Sequence, residues 1–392
     1  MKQILRKTIQ VFGVITLLIS CQQEEQNVEQ LESDSKPYLV EEELAREIAL
    51  NVLKNEKNNH LDKDIDLEVT PLMDINDEPY LYIINHTGDR ENSFTIIAGD
   101  KRLEPVLAYG DNEFDLQNIP DQLEYWLENY TSQIDYFRRE NTSISLEEVK
   151  TFEKKAKSIS SDGKLGKSGS ELVRPLLSSK WGQGCTYNSL LAKQEDIGDG
   201  CNNSLPCGRA YTGCVATCLS QVVNYYKSMD GFDYSLLRYS YLDTDAGTLQ
   251  GDEVGRLMKE VGEIMSMEYT CNVSLAYSSD MLRSHVREAL GFDAPLKRAS
   301  FRTMDLEEIL SEMKAKNPVV ISGKDYKDGR RAGHLWVLDG FVRYFQDHGD
   351  TLYFHFNLGW DGRSNGWYLY NDFKLGNYDF NQYVKVYYNF RS

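Results

Sequence analysis

Cationic residues are in short supply: 43 Lys and Arg stand against 61 Asp and Glu in 392 residues, a net charge of −18. A chain this acidic cannot build the cationic contacts to phosphate on which nucleic-acid affinity rests, so nucleic acid is excluded as a partner. Histidine is scarce, six scattered residues, and no C-x-x-C pair occurs, which argues against a structural zinc site. Beyond the first 21 residues no apolar run reaches the length needed to cross a bilayer. Internal repeats are absent. What is present suits a folded chain of two or three domains: 41% hydrophobic residues, 27% charged, and 25 tyrosines, which favour strands over a helical bundle. The charge is unevenly placed. Residues 1–172 hold 19 basic and 34 acidic side chains, net −15, whereas residues 173–392 hold 24 and 27, net −3. The split predicts two modules with different tasks.

Residues 1–21 read as a targeting segment. Lys2, Arg6 and Lys7 form a basic start, Val11 to Ile19 is apolar but short, and Ser20-Cys21 follows. A small residue before cysteine, after such a run, resembles a bacterial lipoprotein signal, in which cleavage makes Cys21 the lipidated first residue. An ordinary secretory signal with an incidental cysteine is the other reading. Residues 22–40 read as an acidic tether, nearly without apolar residues through Lys36. Glu24-Glu25 resembles the surface-export signal of some Gram-negative lipoproteins. The expected location is the outer membrane or cell surface, with the membrane reached only through the lipid. The other six cysteines all follow residue 180, and export invites disulfides among them. Sequence does not give their pairing. If one cysteine keeps a reactive thiol, at least one other also stays unpaired.

Hydrophobic periodicity places a helix at Glu41–Asn55, through Leu44, Ile48 and Val52, and another at Pro120–Arg138, through Leu123, Trp126 and Tyr130. Between them, Tyr80–Ile84 and Phe94–Ala98 read as short strands. This predicts an α+β module over residues 41–153. Residues 154–171, dominated by Lys, Ser and Gly, read as an exposed linker that proteases cut readily. Residues 172–392 form a second domain. Its helices fall at 213–229, 252–264, 280–290 and 305–315, followed by strands from Val319 to residue 389. Helices first and then antiparallel sheet is an α+β order.

Several residues of the second domain carry chemistry. Cys214 follows Thr212-Gly213 at a helix start, where the positive end of the helix dipole favours a thiolate. Cys218 lies one turn on, beside the apolar stripe, and suits a buried structural role. His334, in Gly333-His334-Leu335-Trp336, begins a strand and can take a thiol proton and return it to a leaving amine. Asn357 can orient an imidazole, and Gln183, in Trp181-Gly182-Gln183, can donate to an oxyanion. Each residue alone also fits a structural role.

Their order along the chain resembles papain-like cysteine peptidases. The local words resemble the streptopain family: Trp181-Gly182-Gln183 with Tyr187-Asn188, Thr212-Gly213-Cys214-Val215-Ala216-Thr217, Gly333-His334 with Asp339-Gly340-Phe341, and Phe354 to Trp360 with Gly362 and Gly366. Ala98-Gly99-Asp100 and Pro105 to Tyr109 resemble the family's prodomain. The resemblance implies a papain-like catalytic domain, helical part plus antiparallel sheet, preceded by a smaller α+β prodomain that inhibits it. It implies a cysteine endopeptidase made as a latent zymogen, acting on proteins or peptides without metal or cofactor. Cys214 takes the nucleophile position, His334 the acid/base position and Gln183 the oxyanion position, with the Cys214 backbone N–H as partner donor. Asn357 and Trp360 fall in the family's N-W-G-W stretch, and Gly333, Leu358 and Trp360 are implied as substrate contacts. Leu358 is a departure, standing where the family has the first tryptophan. Cys185 and Cys218 also stand where other residues are expected. Two alternatives stay open: a catalytically degenerate surface binding protein on this scaffold, favoured only by Leu358, and a transglutaminase-like or amidase enzyme using the same geometry.

Overall fold

In the N-terminal module the chain runs from α1 (Glu42–Glu56) through β1 (Asp66–Met73), β2 (Pro79–Thr87), β3 (Ser93–Ala98) and β4 (Val106–Asp111). β2 and β3 are buried along almost their whole length. Their near-continuous apolar runs require cover on both faces, unlike the half-polar alternation of an open sheet. Cover comes from α1, which packs on β2 and β3, and from α2 (Asp121–Arg139), which packs on β2. The computed structural model describes residues 36–56, 66–88, 92–119, 121–140, 143–161, 169–197, 205–271, 274–301, 303–325, 332–345, 349–370, 374–375, 378–379 and 384–392. Cys21, the expected signal, the tether through residue 35, Cys201 and residues 162–168 of the expected linker lie outside the described residues.

Three expected boundaries move. Helix α3 (Leu146–Ser161) takes in the first eight residues assigned to the linker. Phe152 and Ala156 are buried on one side of it, and Lys155 pairs with Glu104. Leu146, Val149, Phe152 and Ala156 recur at helical spacing, and that spacing carries the helix on into the Lys- and Ser-rich stretch whose composition reads as linker. The far end of the linker is strand as well: β5 (Ser170–Val173) pairs with a strand of the second domain. The tether ends early, because Tyr38–Ser392 form one compact unit. Leu39 bridges Asp100, and Val40 is buried with its N–H on the Gly99 carbonyl at 3.1 Å.

The second domain opens with the short helix α4 (Gln194–Ile197), then α5 (Cys214–Tyr226), α6 (Leu249–Ile264), the ribbon β6 (Glu268–Tyr269) and β7 (Ser274–Leu275), α7 (Ser284–Ala289), β8 (Lys297–Ser300) and α8 (Leu306–Lys314). Sheet follows: β9 (Val319–Asp325), β10 (Ala332–Tyr344), β11 (Thr351–Asn357), β12 (Gly366–Leu369), a small ribbon β13 (Lys374–Leu375) with β14 (Tyr378–Asp379), and β15 (Lys385–Tyr388). The fold is α+β, as its element order predicts.

Among the described residues the two modules share one eleven-stranded sheet, ordered β1-β2-β3-β4-β12-β11-β10-β9-β15-β8, with β5 also on β10. The seam is β4 against β12, where Tyr109 faces Trp367 and Ala108 faces Tyr368. One apolar cluster runs across it, from Ile83 and Leu127 to Phe341, Tyr353 and Tyr368. A second cluster lies under α5 and α6. Along β10, Trp336 and Leu338 join the first cluster and Leu335 and Val337 the second, the period of two expected of a strand covered on both faces.

Candidate active site

Helix α5 begins at Cys214 because Gly213 turns the chain with φ 83°, and a Cβ there would meet the Met267 Cε at 2.4 Å and the Ser274 carbonyl at 2.9 Å. No side chain caps the first turn, so the positive end of the dipole is presented at Cys214. The Cys214 thiol is half-buried, and its Sγ lies 3.9 Å from the Gly333 carbonyl. Cys218 is also a thiol, but fully buried, and burial pushes its pKa well above the ordinary thiol value, with the neighbouring Cys214 adding to the shift. Of two cysteines one turn apart, only Cys214 is suited to attack. Cys185 is disulfide-bonded to Cys207, directly behind Gln183.

His334 is buried, and its Nε2 lies 3.0 Å from the Leu358 carbonyl. A carbonyl only accepts, so Nε2 carries the proton, and Nδ1 of the neutral ring is the basic nitrogen. Burial lowers the imidazole pKa from 6.5 to about 4, against the upward pull of that hydrogen bond. Trp336 stacks with the ring at 6.2 Å between centroids, and Trp360 is tilted against it at 6.3 Å. Cys214, Gly333 and His334 line one cleft of ≈ 270 Å³, with Leu275, Ala276 and Tyr277 on its apolar side.

Gln183 reaches the site through its backbone, accepting from Thr212 N at 3.0 Å. The Thr217 hydroxyl, on α5, donates to the Gly182 carbonyl at 3.3 Å. The loop carrying Gln183 is thus tied to the helix that begins at Cys214. Asn357 is placed elsewhere than at the imidazole. It is buried, and its side chain bonds Ser179 O at 2.7 Å and the Gln221 side chain at 3.2 Å. The imidazole's orienting acceptor is the next residue's main chain. Leu358 itself is 1% exposed, with its N–H on Asn365 Oδ1 at 2.9 Å.

Two polar residues near this site, Gln221 and Asn365, escaped the sequence reading. Gln221 had a signal, an amide set between Leu219 and Val222-Val223 on the apolar part of α5; Asn365 had none. Because Leu358 acts on His334 through its carbonyl, its side chain is predicted to matter for packing more than for chemistry. Leu358→Ala should cost about 2–5 kcal/mol of stability. It should change kcat/KM of the folded enzyme by less than roughly tenfold, the scale below which an interaction is worth about one hydrogen bond. Thermal unfolding and hydrolysis rates of the two proteins check both numbers.

Comparison with known proteins matches both modules. Residues 181–368 match the peptidase C10 family, and residues 37–134 match the Spi protease inhibitor family. Streptopain of Streptococcus pyogenes is 26% identical over 325 residues, which is 74% of this chain and 73% of its own length. The thiol protease/hemagglutinin PrtT of Porphyromonas gingivalis is 25% identical over 327 residues, 75% of this chain and 34% of its own length. A fragment of prointerpain A of Prevotella intermedia shares the fold, with a TM-score of 0.56 at 21% identity over 82% of this chain and 98% of that fragment. The segment similar to an inhibitor precedes the segment similar to a peptidase, in the order in which the fold sets out its two modules, and the family match together with these relatives supports a streptopain-family papain-like cysteine peptidase.

Proposed function

We propose that this chain is an endopeptidase made as a latent, lipid-anchored zymogen, exported to the outer membrane or cell surface and held there through Cys21. Its N-terminal module is the inhibitor of its own C-terminal enzyme, and its substrates are proteins or peptides. The observation that carries the chemistry is the fixed tautomer: with Nε2–H on the Leu358 carbonyl, Nδ1 is the base, in the cleft that Cys214 also lines.

Cys214 attacks the scissile carbonyl as its proton passes to His334 Nδ1. The oxyanion is met by the Gln183 amide and the Cys214 backbone N–H. The imidazolium then protonates the leaving amine, and water, activated by the same nitrogen, hydrolyses the thioester. Leu358, the residue that favoured a degenerate scaffold, serves the histidine through its main chain, which supports the enzymatic reading. The apolar wall of Leu275, Ala276 and Tyr277 suits a peptide with an apolar side chain before the scissile residue.

The test is to incubate the purified full chain under reducing conditions and follow hydrolysis of such a peptide together with loss of the N-terminal part. Gln183→Ala is predicted to lower turnover by about a hundredfold or more, the scale for one oxyanion donor. A reduced chain that hydrolyses nothing after its N-terminal module is removed overturns the reading in favour of a binding protein.

A further inference from the structure

Helix α5 buries Val215, Leu219, Val222 and Val223 in the core. A second stripe on the same helix is polar: Cys214, Thr217 and Gln221, spaced i, i+3 and i+7, which puts them on one side. Gln221 is wholly buried, a costly state unless its amide finds partners. Two separate pieces of chain supply them. Its Oε1 accepts from Ser179 Oγ at 3.0 Å and from Trp181 N at 3.2 Å. Toward β11 it forms a reciprocal amide pair: Asn357 Nδ2 donates to Gln221 Oε1 and Gln221 Nε2 donates to Asn357 Oδ1, both at 3.2 Å. Gly359 N also approaches Asn357 Oδ1, at 3.4 Å.

We propose that Gln221 is a positioning residue for the peptidase reaction, an inference that rests on the peptidase reading. From the nucleophile's own helix it sets the register of the loop carrying Gln183 and of the 357–359 segment against Cys214. Leu358, whose carbonyl holds His334, sits between the two residues, Asn357 and Gly359, that this amide network fixes. Nucleophile, base and oxyanion donor lie on three different elements; Gln221 shares the helix of Cys214 and bonds both to the loop that carries Gln183 and to Asn357, the residue before the carbonyl that holds His334. A displacement of about 1 Å among them costs on the order of a hundredfold in rate.

The test uses the full-length chain, reduced and taken to its activity plateau. Gln221→Leu keeps approximate volume and loses every bond. Its kcat should fall on the order of a hundredfold while KM stays within roughly threefold, the mark of an interaction that serves the transition state. Gln221→Glu keeps the shape. Its protonated carboxyl can donate to Asn357 Oδ1 and still accept from Trp181 N, whereas the carboxylate cannot donate. Activity of Gln221→Glu relative to the unchanged chain should therefore rise as pH falls, which a merely structural role would not produce. Alkylation of Cys214 by iodoacetamide across pH gives a readout that needs no peptide cleavage: in both variants the acid limb contributed by the imidazole should shift toward the profile of an isolated thiol. A chain that shows the imidazole-coupled limb but cleaves no peptide overturns the peptidase reading, and the alkylation profiles then decide the positioning role alone. Wild-type kcat and alkylation in Gln221→Leu overturn the positioning role. Should that variant fail to fold, a Gln221→Glu ratio that is flat with pH overturns it just as well.

Discussion

Cys214→Ala should eliminate hydrolysis and labelling by thiol-directed epoxides, while Cys218→Ala, one helical turn away, should keep activity. The contrast follows from burial. Cys218 is held fully inside the protein with its thiol pKa pushed up, so it has neither access nor charge for attack. Cys214 stands half-buried at the uncapped start of α5 and lines the cleft. His334→Ala loses nearly as much as Cys214→Ala, and the double variant loses little more, because nucleophile and base act as a unit whose losses do not add. The expected drop reaches the background of the assay, several orders of magnitude. Neither single variant removes a large apolar side chain, so circular dichroism should remain that of the unchanged chain. Hydrolysis undiminished in Cys214→Ala would falsify the assignment of the nucleophile.

How much of this was legible in the sequence depends on how local the signal was. Cys214 and His334 sit in short, distinctive words at a helix start and a strand start, and those words placed them. The helices at Glu42–Glu56 and Asp121–Arg139 carry strong periodicity, as do most later elements. Helix α3 carries it as well, through Leu146, Val149, Phe152 and Ala156, but its Lys- and Ser-rich stretch from residue 154 has the composition of a linker, which hid its second half. Asn357 shows the limit of reasoning by role. An amide near a histidine was expected to orient it, but a main-chain carbonyl does so, and any residue type can supply a carbonyl. The continuity of the sheet across the two modules was also hidden. A pairing of β4 with β12 joins residues about 250 positions apart, and nothing local announces it. The even count of later cysteines did announce that a second thiol would accompany the first, and Cys218 is that thiol.

Gly110→Val is predicted to give the uncut chain hydrolytic activity without altering the mature enzyme. The reason is a chain of contacts from the N-terminal module to the base. At the seam, a Cβ on Gly110 would meet the Asn365 carbonyl at 2.4 Å and the Gly366 Cα at 2.8 Å, so a valine there forces β4 away from the 365–366 backbone. Asn112 Nδ2 donates to the Gly362 carbonyl at 3.1 Å. Asn365 Oδ1 in turn receives the Leu358 N–H, and the Leu358 carbonyl receives His334 Nε2. The module is thereby tied to the segment whose carbonyl holds His334, an imidazole whose pKa burial lowers to about 4. On the zymogen reading, a base that weak at neutral pH is a poor acceptor for a thiol proton, which would supply a physical basis for latency. Loosening the seam by one or two kcal/mol enlarges the open population by a factor of about 5–30, and hydrolysis by the uncut chain should rise by the same factor. Residue 110 departs with the module once the chain is cut between α3 and β5, so the cut enzyme should match the unchanged one. Acid acts on the same lock. Because His334 binds its proton less tightly when buried, its contribution to stability is complete above about pH 6.5 and is lost as pH falls through 4. A trace of active enzyme should accordingly process the inert Cys214→Ala chain faster at about pH 5 than at pH 7, once its own rate on a peptide at each pH is divided out. The same cut parts the enzyme from Cys21, so on the lipid-anchored reading activity and release from the membrane should appear together in fractionation. Full activity from an uncut, membrane-bound chain with glycine at 110 would rule the mechanism out.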